Sequence, residues 1–203
     1  MVALAAAGGL LNSIAGHPDI EVPAGPPVPE PGGGPLVTFA GLLLDLPAGW
    51  EAVDQTVDPT ATTHRLCLAP VGEPYPRWDD CSGLTLMAGE LPGEDGWGTW
   101  DDAHPDWSFA SDVQWCPATP QPADLGGPDG QDWAGSGDPV TTGHRQVGDR
   151  TAFYAEWDAT CQVSGFAFTP RVWHLPASRM LIVDVVNRPE VDAILATLRR
   201  QGT

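Results

Sequence analysis

Three tryptophans, Trp97, Trp100 and Trp107, stand beside the carboxylates Asp101, Asp102 and Asp106 in one short stretch of chain. Indole faces stack on apolar faces of sugar rings, and carboxylate oxygens accept hydrogen bonds from sugar hydroxyls, so the grouping holds the elements of a carbohydrate platform. A glycan hydrolase would add two opposed carboxyl groups as its acid and its base or nucleophile. The chain has nine tryptophans, and burial in a core or a protein interface accounts for them better than a sugar platform does. Exposed ones would mark a binding surface.

A second carboxylate group, Asp124, Asp129, Asp132 and Asp138, lies among glycines that permit tight turns. Calcium takes oxygen ligands, but the spacing matches no EF-hand loop. A solvated acidic loop is the first reading, and calcium is the one cofactor the residues suggest. Nucleophilic catalysis finds less. Gly135-Ser136-Gly137 does not complete the G-x-S-x-G elbow, and His64, His104, His144 and His174 each stand alone in sequence. No catalytic residue is assigned, and a non-enzymatic protein is expected.

The basic residues tighten these limits. All nine are arginines, so Schiff-base chemistry, a Ser-Lys pair and a P-loop lysine are excluded. With 27 acidic residues the formal charge is -18, which repels phosphate backbones and excludes a nucleic-acid partner.

The four cysteines, Cys67, Cys81, Cys116 and Cys161, lack the C-x-x-C spacing of zinc or redox motifs, and disulfides are their expected use. Of three possible connectivities, Cys67 with Cys81 and Cys116 with Cys161 joins neighbouring sequence blocks and is preferred. Closing the first loop contributes about 3 kcal/mol in the chain-entropy model.

Residues 1–16 contain a small, apolar run from Val2 to Ala15, too short to cross a bilayer alone. It resembles the core of an export signal or the end of a membrane anchor, although no basic segment precedes it. The absence of a nearby cysteine excludes lipoprotein acylation there. Residues 17–35 carry seven prolines from Pro18 to Pro35 and a run of glycines, the composition of an extended spacer with a hinge. Residues 36–203 then form one expected domain, enough chain to bury about two thirds of its unfolded surface.

Within that domain, Leu36–Phe39 and Leu42–Leu46 read as strands around Ala40-Gly41, followed by a Pro47-Ala48-Gly49-Trp50 turn. His64–Leu68, Leu84–Ala88, Phe166–Leu175 and Met180–Val186 read as further strands. Thr151–Gln162 alternates apolar Phe153, Ala155, Trp157, Ala159 and Cys161 with polar neighbours, which predicts one strand with one buried face. Val191, Ile194, Leu195 and Leu198 fall at helical spacing. Asn187 and Glu190 have capping-box spacing, and Arg199 and Arg200 suit the helix C-terminus. Residues 78–144 form an acidic, Trp-rich insert without arginine. The expected class is α+β, a mostly antiparallel sheet covered by helices with an amphipathic helix at the C-terminus.

The Leu46-Pro47-Ala48-Gly49-Trp50 turn, the Gly148-Asp149-Arg150-Thr151-Ala152-Phe153-Tyr154 turn and strand, and the closing Val191–Leu198 helix resemble the PsbP-like fold, in particular its actinobacterial LpqN-type envelope proteins. The resemblance implies an α/β/α sandwich and an accessory or interaction role, and it carries over no catalytic residues. The apolar run, Pro-rich stalk and disulfide-bearing globule have the order of a bacterial envelope protein. The expected protein is therefore an extracytoplasmic binding or accessory domain, secreted or tethered to the outer face of the cytoplasmic membrane. Its partner would be an envelope or membrane protein, and it would touch the membrane only through its N-terminal segment. A carbohydrate-binding or glycan-processing module and a calcium-dependent adhesion domain are the alternatives.

Overall fold

The computed structural model describes residues 33–56, 60, 62–73, 81–91, 100–105, 116 and 134–202. The N-terminal apolar run and most of the spacer, together with Trp97, Trp107, Asp124, Asp129 and Asp132, lie outside the described residues. The strands are β1 (Leu36–Phe39), β2 (Leu42–Asp45), β3 (Trp50–Asp54), β4 (Thr63–Pro70), β5 (Leu84–Gly89), β6 (Ala134–Ser136) and β7 (Thr141–Val147). They continue as β8 (Arg150–Glu156), β9 (Ala159–Cys161), β10 (Ala167–Phe168), β11 (Arg171–Leu175), β12 (Met180–Asp184) and β13 (Arg199–Arg200). The one α-helix among the described residues is α1, Glu190–Ala196.

Seven strands form the central sheet in the order β3-β4-β5-β12-β11-β8-β7, antiparallel throughout. Both of its faces are apolar. Leu86, Tyr154, Trp173 and Ile182 point to one face and meet Val37, Leu42 and Leu44 of the β1-β2-β13 sheet and Leu46 just after β2, together with Val191, Ile194 and Leu195 of α1. Met87, Ala155, Val172, Leu181 and Val183 point to the other and meet Ala159, Cys161 and Phe168 of the β10-β9-β6 sheet, together with Trp100 and Cys116.

This architecture corrects the expected α/β/α sandwich. The sheet is antiparallel as anticipated, but among the described residues its faces are covered mainly by short strands, with a single two-turn helix on one side. The covering runs explain why. Leu36–Phe39 and Leu42–Asp45 are only four residues each, below the length at which a helix repays its nucleation. Between them Ala40 (φ 48°) and Gly41 (φ 75°) adopt the left-handed geometry of a tight hairpin turn, which pairs the two runs.

Three further expectations change in detail. The alternating 151–162 segment is two strands in different sheets, and β8 buries both faces: Ala152 and Tyr154 on one, Ala155 on the other. The terminal helix stops at Ala196. Asn187 does not cap it: the N-cap position is Pro189, and the Asn187 backbone N–H donates to Asp184 Oδ1 at 2.9 Å. Arg199 and Arg200 belong to β13, where the Arg199 guanidinium forks onto Asp45 at 2.8 and 3.1 Å. At the other end, residues 34 and 35 are tied to β2's exit, with Gly34 N–H donating to the Leu46 carbonyl and Leu46 N–H to the Pro35 carbonyl, both at 3.0 Å.

Candidate functional site

The central strand β11 alternates faces, so Trp173 and Leu175 enter one core while Val172 and His174 face the other. In register His174 lies between Phe153 of β8 and Leu181 of β12. An imidazole on this apolar face needs a partner, because a buried polar group without a hydrogen bond costs about 1–3 kcal/mol. Asp102 supplies it: His174 Nδ1 is 2.7 Å from Asp102 Oδ1. The same oxygen accepts a 2.6 Å hydrogen bond from Trp100 Nε1–H, and the Trp100 and His174 rings lie 6.0 Å apart. Trp100, Asp102 and His174 thus form one cluster that holds residues 100–105 on the central sheet.

The neighbouring Asp101 and His104 form an exposed turn. Asp101 accepts from Ala103 N–H at 2.9 Å and lies 2.9 Å from His104 Nδ1. These contacts, the His104 one above all, hold the Asp101 carboxyl below the usual carboxylate range.

Two sequence-predicted binding residues, Trp100 and Asp102, are therefore together, but not as a sugar platform. Trp100 is 8% exposed and spends its indole N–H on Asp102. The other described tryptophans, Trp50, Trp157 and Trp173, are buried as well. Asp101 is exposed beside the cluster, and Asp138 is exposed after β6. Among the described residues no three His, Cys, Asp or Glu side chains converge to hold a metal ion.

The sequence reading missed His174 as a site residue, because its partner is 72 residues distant and no local pattern joins them. An aspartate that fixes Nδ1 leaves Nε2 as the ring nitrogen uncommitted by this contact, which is the orienting half of a hydrolytic triad. The nucleophile is not supplied by a thiol, since Cys67–Cys81 and Cys116–Cys161 are disulfides and no cysteine is free. These are the pairs the sequence blocks favoured. They belong to a protein that matures in an oxidising, extracytoplasmic environment. Cys116, with Cys161, also enters the core cluster that contains Trp100.

The opposite face carries a second polar group that sequence reasoning missed. Asp184, fully buried, accepts from Arg171 Nη2 at 2.6 Å and Nε at 3.2 Å, and Arg171 Nη1 donates to Asp192 of α1 at 3.0 Å. Burial pushes the Asp184 carboxyl above the ordinary value, against the opposing pull of Arg171. Tyr154 donates its hydroxyl to Glu156, and burial together with that carboxylate raises its phenol well above the usual range. Arg188 binds Glu73 and the Ser82 carbonyl, tying the Cys67–Cys81 loop to the residues before α1. Of these pairs only Arg171 and Asp184 are closed inside the fold; Asp192 and Glu73 reach the surface.

No family model, curated protein or solved structure matches this chain. Among the described residues no helix is long and apolar enough to cross a membrane.

Proposed function

We propose that the chain is an extracytoplasmic, non-catalytic binding or accessory domain of the bacterial cell envelope or of a membrane complex, carried on the Pro-rich segment 17–35. The observation that carries this reading is the commitment of all four cysteines to two disulfides, a use that suits an oxidising compartment and not the cytosol. The order of apolar run, stalk and globule supports tethering. The cluster around His174 supports a structural role: its carboxylate is shared between an imidazole and an indole and binds a segment to the sheet.

Fractionation of native cells, with crosslinking before lysis, tests the proposal. Recovery in the envelope fraction, crosslinked to a membrane or envelope protein, is expected. Recovery as an uncrosslinked cytosolic chain, or turnover of a substrate abolished by His174→Ala, would overturn it.

A further inference from the structure

We draw no further inference here: the strongest candidate, the cluster of Trp100, Asp102 and His174 on one face of the central sheet, belongs to the site already described and carries nothing beyond the fastening of residues 100–105 to that sheet.

Discussion

His174 Nδ1 and Asp102 Oδ1, 72 residues apart in sequence, meet at 2.7 Å and fasten residues 100–105 to the middle of the central sheet. The imidazole comes from a strand buried on both faces, and the carboxylate from a segment that also inserts Trp100 into the core. One contact therefore couples the acidic, Trp-rich part of the chain to its most regular part.

Removing either partner should loosen that segment before the sheet. His174→Ala and Asp102→Ala are each expected to cost about 1–3 kcal/mol, the range for losing a partly buried polar partner. The double variant should cost less than the sum, because the two side chains interact directly. Urea unfolding measures the cycle, and faster amide exchange in residues 100–105 locates the effect.

Asp184→Ala should be the most damaging single change on the other face. It leaves the Arg171 guanidinium buried without its main partner, at a cost of about 3–5 kcal/mol. The pH dependence has a definite sign. The folded protein holds the Asp184 proton to higher pH than the unfolded chain does. Between the ordinary aspartate value and the raised one, the folded state binds more protons, so stability falls as pH rises. Relative to Asp184→Asn, the wild type should lose stability across that window, as denaturant midpoints at a series of acidic pH values will show.

Gly34→Ala should destabilise the domain although it lies before the first strand. A Cβ there would sit 2.2 Å from the Pro47 carbonyl oxygen and 2.8 Å from that of Leu46, both backbone atoms. Overpacking of this kind costs about 1–3 kcal/mol. A variant as stable as the wild type would show that residues 33–35 act only as spacer.

The strands were legible as short apolar runs, as at Leu84, Leu86 and Ala88 of β5, but which faces they bury was not, since Thr85 and Met87 between them are buried too. In β8, Tyr154 looks like a solvent-facing residue between Phe153 and Ala155, yet it packs beneath Trp173, with ring centres 5.3 Å apart. The helix was overextended for a different reason. Leu198 keeps the helical apolar spacing, but Arg199 and Arg200 gain backbone partners by pairing with β2, which outweighs another helical turn. The fold class failed because periodicity reveals an apolar face and not whether a helix or a hairpin will cover it. For the candidate site, Trp100 and Asp102 stood out locally, whereas His174 could be joined to them only by the topology that brings β11 under residues 100–105.

The two disulfides should differ in their contribution. Cys116–Cys161 closes a loop three times as long in sequence as Cys67–Cys81, with separations of 45 and 14 residues. In the chain-entropy model these are worth about 4 and about 3 kcal/mol. Paired serine variants compared by urea unfolding should rank in that order, with the Cys116→Ser/Cys161→Ser variant the less stable.

The most direct measurement is thiol trapping. Native cells are quenched in acid, the chain is alkylated under denaturing conditions without reductant, and its intact mass is read. An extracytoplasmic domain closed by Cys67–Cys81 and Cys116–Cys161 should take up no alkyl groups until it is reduced, and then four. Four groups added before reduction would mean that the chain resides in a reducing compartment, and would contradict the account.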